Sequence, residues 1–148
     1  MGMYIDGQVR KFRVTGDLGC LEKAHRVWLK VRDIYYASQM YGPGTFMRPY
    51  GGLRTMEKFL EPLGTDQASP LFHGLYDYMQ HADEETRRNI ADVLLGTLGW
   101  YERQGFKYIY YKCWLHQWNV EGLHATSYYL PAIAWAAALS YISGGLAG

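Results

Sequence analysis

Apolar residues recur at intervals of three and four in two long stretches of this sequence, and this spacing constrains the fold more than any other feature. The first stretch follows Asp17 and the second follows Asp83. The apolar positions are Leu21, Ala24, Trp28, Val31 and Tyr35 in the first stretch, and Ile90, Val93, Leu94, Leu98 and Tyr101 in the second. Residues at this spacing share one face of an α-helix. The sequence therefore predicts amphipathic helices over residues 17–41 and 83–105, each with an aspartate as its N-cap.

Two more helices complete the predicted architecture. One runs over residues 70–80, with Ser69 as its cap and Pro70 in its first turn. The other runs over residues 123–142 and ends before a pair of glycines. Only a few residues separate the helix at 70–80 from the next one, so we expect these two to form an antiparallel pair.

The first sixteen residues predict a different local structure, a short β-hairpin. Asp6 and Gly7 form a dipeptide that favours a type I′ turn, and Val9, Phe12 and Val14 are strand formers. We therefore predict an all-α protein of antiparallel helical hairpins over residues 17–148, preceded by a β-hairpin at residues 1–16.

Composition excludes some classes of partner. The 15 basic and 14 acidic residues give a formal charge of +1, which provides no broad positive field for nucleic acid. The most apolar segment, residues 128–142, is shorter than the roughly 20 residues of a membrane-spanning helix, and we expect no membrane span. Residues 1–12 carry no apolar run typical of a signal peptide, and the localisation stays open. Aromatic residues make up 16% of the chain, and their rings suit sugars or protein partners.

The order of long and short links predicts where a ligand binds. Consecutive antiparallel helices alternate direction, so the two long links, residues 42–68 and 105–122, must lie on the same face of the protein. Loops on a rigid scaffold often carry functional residues, and helix N-termini favour anionic groups. We expect the ligand site on this face.

Several of these segments together resemble a known superfamily. They are the turn GTDQASP at residues 64–70, the stretch HGLYDYMQHADEETRRNI at residues 73–90, and an aromatic loop that leads into another helix. This pattern resembles the six-hairpin, or (α/α)6 toroid, glycosidase-like proteins. The superfamily includes unsaturated glucuronyl hydrolases, other glycosidases and polysaccharide lyases, so the resemblance implies carbohydrate handling and no required cofactor.

Asp66 is the main candidate for an acid or base, because glycoside cleavage needs a carboxyl group that donates a proton. The alternative is that Asp66 only supports the turn. Glycosidases pair two carboxyl groups about 5–9 Å apart, and Glu121 is our preferred second group. The alternative is that Glu121 caps the last helix. Glu57 and Glu61 are the other choices. His73 is expected to face the same mouth as Asp66 and is the third catalytic candidate.

The remaining candidates would contact the substrate. They are Gln67, Arg48, Tyr50, Tyr110, Trp114, His116, Trp118 and His124. Amides and guanidinium groups bind sugar hydroxyl and carboxylate groups, and aromatic rings stack on sugar rings. The alternatives are structural roles in loop hydrogen bonds, ion pairs or core packing. We predict no metal site, because the three histidines near this face lack a spacing such as HxxxH.

The chain is shorter than a full toroid and supplies about two of its six hairpins. The chain is therefore expected to be either a fragment of a larger toroid or a small helical protein that uses the same hairpins. A fragment would expose the flanks of the outer helices, so we expect self-association or contact with the remainder of a larger toroid. A non-catalytic helical module for protein binding or assembly is the alternative function, and a polysaccharide lyase that uses tyrosine and histidine is a weaker one.

Overall fold

The computed structural model describes residues 1–47, 65–103, 108–110 and 116–118. Within these residues the chain forms four helices, which are α1 (Gly2–Thr15), α2 (Leu18–Ser38), α3 (Thr65–Met79) and α4 (Glu84–Arg103). A 3₁₀ turn, Gln39–Tyr41, continues α2. Two short strands, β1 (Tyr108–Tyr110) and β2 (His116–Trp118), pair as an antiparallel ribbon. The predicted all-α class is confirmed, while the predicted helix at 123–142 lies outside the described residues.

Helices α2 and α4 match the sequence-based prediction closely because both carry strong local signals. An Asp17 carboxylate oxygen accepts a hydrogen bond from the backbone N–H of Gly19 at 2.9 Å, ahead of α2. Asp83 accepts one from the backbone N–H of Thr86 at 2.8 Å, ahead of α4. Both aspartates therefore satisfy donors that the first helical turn leaves without a partner.

The predicted β-hairpin at residues 1–16 is wrong, since this segment is helix α1. Asp6 and Gly7 lie inside the helix rather than in a turn. The buried positions of α1 are Gly2, Ile5 and Val9, at intervals of three and four. This spacing buries one face of a helix against the rest of the protein, and the gain outweighs the roughly 1 kcal/mol that a mid-helix glycine costs relative to alanine.

Helix α3 begins earlier than predicted. The helix includes Thr65, so Asp66 and Gln67 lie in it rather than in a loop ahead of it. Ser69 is consequently inside the helix and is not its N-cap. Pro70 also lies inside the helix, where it has no N–H to donate to the preceding turn.

The directions of the helices follow from contacts between them. Asp6 on α1 lies beside His73, and Arg13 further along α1 lies beside His81, so α1 and α3 run parallel. Helix α2 follows α1 after a turn of two residues and runs back along it. Tyr35 packs against Gly96 while the earlier half of α2 lies near the start of α4, so α2 and α4 run parallel.

Several helix ends therefore lie together at one end of the bundle. The start of α3 lies there with the carboxyl ends of α2 and α4, and an Arg103 guanidinium donates to the carbonyl of Pro43 across it. The opposite end contains the tight turn over residues 80–83. We call these the open end and the turn end. Among the described residues, every helix is too short or too polar to cross a lipid bilayer.

The core lies where the four helices meet. Its largest fully buried side chains include Trp28, Phe72, Leu75, Met79, Ile90 and Leu94. Helix α1 also approaches α3 closely through its backbone at one point, because a Cβ atom added at Gly74 would overlap the carbonyl of Gly2. This close approach brings the polar residues of α1 and α3 within reach of one another.

Candidate functional site

The predicted site residues fall into three groups in the structure. Asp66 and Gln67 lie in the first turn of α3, at the open end, and Gln67 is exposed. His73 lies further along α3. Tyr110 lies in β1, while His116 and Trp118 lie in β2. The predicted residues outside the described ranges are Arg48, Tyr50, Trp114, Glu121 and His124.

The ribbon brings three of the predicted binding positions together. Tyr110 is paired with His116, and Tyr108 is paired with Trp118. Alternate positions of a strand share a face, and directly paired positions of two strands share it too. Positions 108, 110, 116 and 118 therefore belong to one face of the ribbon.

His73 has a partner that the sequence did not predict. Its Nδ1 atom lies 3.5 Å from a carboxylate oxygen of Asp6 on α1, and its side chain is half exposed. The predicted pairing of His73 with Asp66 stays a prediction.

His73 belongs to a row of charged and imidazole side chains along the contact between α1 and α3. We call this row the α1–α3 polar seam. Its members are Asp6, Arg10, Arg13, His73, Asp77 and His81. The helical spacing of three and four along both chains puts these residues on facing sides of the two helices.

Ion pairs run along the seam. The Arg10 Nε atom lies 3.0 Å from the Asp6 carboxylate, and the Arg13 guanidinium donates to Asp77 at 3.3 Å. Arg13 also donates through Nε to the Nε2 atom of His81 at 3.3 Å. Such partly exposed pairs contribute little to stability. They matter for the chemistry of the seam rather than for its stability, since they hold two carboxylates and a histidine close together.

A groove with a volume of about 460 Å³ opens at the turn end. It is lined by Leu21, Glu22, His25, Arg26, Tyr78, His81, Ala82 and Asp83. The start of α2 supplies one wall, and the end of α3 with the start of α4 supplies the other. The sequence did not predict this groove, because the candidate ligand contacts were expected at the opposite end of the helices.

A hydrogen bond between His25 and Tyr78 crosses this groove. The His25 Nδ1 atom and the Tyr78 hydroxyl lie 2.8 Å apart, and Tyr78 is only 4% exposed. Burial, helped by the negative charge of Asp83, raises the pKa of Tyr78 to about 12. The hydroxyl therefore keeps its proton at neutral pH. By donating that proton to Nδ1 it would hold a neutral imidazole in the tautomer that carries its hydrogen on Nε2.

Asp83 provides a fixed negative charge beside this pair. Its two carboxylate oxygens accept hydrogen bonds from the backbone N–H and the hydroxyl of Thr86, at 2.8 and 3.0 Å. The hydrogen bond from the backbone N–H of Thr86 is the main cause that lowers the pKa of Asp83. The carboxylate is thus committed to capping α4 and stays ionised at neutral pH.

Sequence signals for the groove residues existed but were local and ambiguous. Tyr78 lies in the last turn of α3, and His25 flanks the apolar stripe of α2. Each is ordinary by itself, and only the packing of α2 against α3 makes them a pair.

Comparisons of the chain with protein-family models, with curated proteins and with solved structures gave no match.

Proposed function

We propose that the protein is carbohydrate-active and glycosidase-like, and that it binds a saccharide at the open end of the bundle. The observation that supports this proposal is the shared position of three helix ends. The start of α3, which carries Asp66 and Gln67, lies at the same end as the carboxyl ends of α2 and α4. The segments 48–64 and 104–107 continue the chain from this end.

The first turn of α3 suits recognition of a polar ligand. A helix start has backbone N–H groups without helical partners and a partial positive charge. Gln67 adds a donor and an acceptor for hydroxyl groups, and Asp66 adds a carboxyl group for proton transfer. In this proposal Asp66 is the acid or base and Glu121 is its second carboxylate.

The aromatic ribbon supplies the second half of the proposed site. Positions 108, 110, 116 and 118 share one face and carry two tyrosines, a histidine and a tryptophan. The face of an aromatic ring contacts C–H groups, and the polar groups beside it bind hydroxyl groups. A sugar carries both kinds of group in alternation, so it matches such a surface. Trp114 and Arg48, which lie outside the described residues, stay predicted contacts for a second ring and for an acidic sugar.

Asp66→Asn tests the proposal, with Asp92→Asn as a matched control. Asp92 is an exposed aspartate on α4. Wild type and both variants are screened against neutral and acidic oligosaccharides, with binding measured by calorimetry and products by chromatography. We expect Asp66→Asn to lower turnover by roughly a hundredfold or more while circular dichroism stays unchanged.

Two results would contradict this assignment. Equal turnover in Asp66→Asn and Asp92→Asn would remove Asp66 from the reaction, and the absence of binding to every oligosaccharide would remove the saccharide. An unsaturated product that absorbs in the near ultraviolet would identify a lyase instead of a hydrolase.

An assembly module is the second candidate, favoured by apolar side chains at the open end. Met3 is 76% exposed and Met40 is 72% exposed, at the adjacent ends of α1 and α2. Exposed methionines suit adaptable protein contacts. If they mediate self-association, Met40→Lys should lower the mass measured by light scattering. Val14→Lys is the control, since Val14 is 87% exposed at the turn end.

A further inference from the structure

We propose that Asp6, His73 and Asp77 bind a divalent transition-metal ion of the Zn²⁺ class on the α1–α3 polar seam. This inference is independent of the saccharide proposal. The three side chains each offer one ligand atom, and these atoms all lie within 4.8 Å of one another. One ligand comes from α1, and the other two come from α3.

The spacing of the two α3 residues forms the basis of the site. His73 and Asp77 are four residues apart, so their side chains leave the same face of the helix one turn apart. Two ligands at this spacing on a rigid helix lose little conformational freedom when they bind an ion. Asp6 closes the site from the neighbouring helix.

The distances suit a small ion. Zinc bonds of about 2.1 Å to nitrogen and oxygen put two ligands of a tetrahedron roughly 3.4 Å apart. The His73 Nδ1 atom and the nearer Asp6 oxygen are already 3.5 Å apart. A side-chain rotation can bring the ligand atoms the rest of the way toward one ion, because His73 is half exposed and does not pack in the core.

The mixture of ligands selects the class of ion. An imidazole beside two carboxylates suits Zn²⁺ and related transition ions, whereas Mg²⁺ and Ca²⁺ prefer oxygen ligands alone. Three protein ligands leave a fourth position for water, as in zinc sites that are not purely structural.

Two arginines compete with the ion. Arg10 pairs with Asp6 and Arg13 pairs with Asp77, and the two arginine side chains are 65% and 44% exposed. A bound ion would displace these pairs or share the carboxylates with them. Removal of an arginine should therefore tighten metal binding. If the seam is purely structural, removal of an arginine has no such effect.

The test is titration of the full chain with Zn²⁺ by calorimetry, and with Co²⁺ by visible absorption. We expect His73→Ala and Asp77→Asn each to weaken binding by about tenfold or more, in line with the cost of disturbing a metal shell. Arg10→Gln should strengthen it by roughly twofold to fivefold, the value of an exposed ion pair.

His81→Ala is the matched control. His81 lies four residues after Asp77, just as His73 lies four before it, but its Nε2 atom accepts a hydrogen bond from Arg13. We expect His81→Ala to bind Zn²⁺ as tightly as wild type. Equal loss in His81→Ala and His73→Ala, or no change in any variant, would overturn the assigned ligand set.

A measurement on the wild-type chain removes any dependence on how the variants fold. Co²⁺ broadens the amide NMR signals of residues close to it. The proposal expects broadening around residues 5–7 and 72–78 and little around Gly96 on α4, which packs against Tyr35 of α2. Broadening elsewhere, or the absence of saturable binding, would overturn it.

Discussion

The two sides of helix α3 make different kinds of contact. Toward α1, the contact is made by backbone at Gly2 and Gly74 and is edged by partly exposed ion pairs. Toward α2 and α4, it is made by large buried side chains and by the hydrogen bond between His25 and Tyr78. The first contact depends on the absence of a side chain, whereas the second depends on the presence of several. Adding side-chain atoms should therefore destabilise the side toward α1, whereas removing them should destabilise the side toward α2 and α4.

The largest expected effect is on the α1 side. Gly74→Ala puts a Cβ atom where the carbonyl of Gly2 lies, so α1 and α3 must separate. We expect a loss of about 2–3 kcal/mol in the free energy of unfolding, the usual cost of overpacking, measured by urea denaturation.

Gly7→Ala, on the exposed side of the same helix α1, is the control. A Cβ atom at Gly7 meets nothing within 4 Å. Because alanine favours the helix more than glycine does, this variant should gain up to about 1 kcal/mol. Equal effects of the two substitutions would contradict a backbone contact at Gly74.

A smaller effect is expected on the other side of α3. Tyr78→Phe removes the hydroxyl group and its hydrogen bond to His25 while keeping the buried ring. We expect a loss of about 1 kcal/mol at neutral pH. A stability unchanged by this substitution would mean that the ring alone holds this side together.

The same variant gives a test at high pH. The pKa of Tyr78 is about 12 in the folded protein and about 10 when unfolded. Between these values the unfolded state releases the proton and the folded state keeps it, so this group's contribution to stability is complete below pH 10 and is lost as the pH rises toward 12. The gap between wild type and Tyr78→Phe should narrow over this range in denaturation experiments.

The smallest effect is expected at the start of α4. Asp83→Ala removes the cap that satisfies the N–H of Thr86, and such a loss costs about 1 kcal/mol or less for an exposed cap. Asp83→Asn keeps an acceptor and should cost less.

The loss of stability at low pH should also differ between wild type and the two Asp83 variants. The pKa of Asp83 is lowered in the folded protein, chiefly by the hydrogen bond from the N–H of Thr86. This stabilisation is present above the ordinary pKa of the carboxyl group and is lost as the pH falls through its lowered value. A wild-type advantage over Asp83→Asn that does not shrink as Asp83 is protonated would show that the charge of Asp83 is irrelevant.

Local signals explain which parts of the fold could be predicted. The helices α2 and α4 were predicted because each has an aspartate cap followed by a long apolar stripe. The start of α3 was misplaced because Ser69 and Pro70 resemble a helix start, although the helix already includes Thr65. The hairpin at residues 1–16 was wrong because the preference of Asp6 and Gly7 for a turn is weaker than the packing of α1.

The candidate site likewise has a part that the sequence predicted and a part that it did not. The sequence identified the polar residues at the start of α3, and the shared end of the bundle followed from the order of the links. It did not identify the pair of His25 and Tyr78, which are 53 positions apart, or the approach of Asp6 to His73. No sequence spacing links such residues before the neighbouring helices are known.

The sequence by itself determined where α2 and α4 begin and which faces they bury, because caps and apolar spacing act within a few residues. Only the tertiary structure decided that residues 2–15 are helical and that α1 lies against α3. An apolar stripe specifies that a face must be buried, but not against which neighbour. That choice is made by shape, and here the small surfaces of Gly2 and Gly74 allow two helices to meet and so bring Asp6, His73 and Asp77 together.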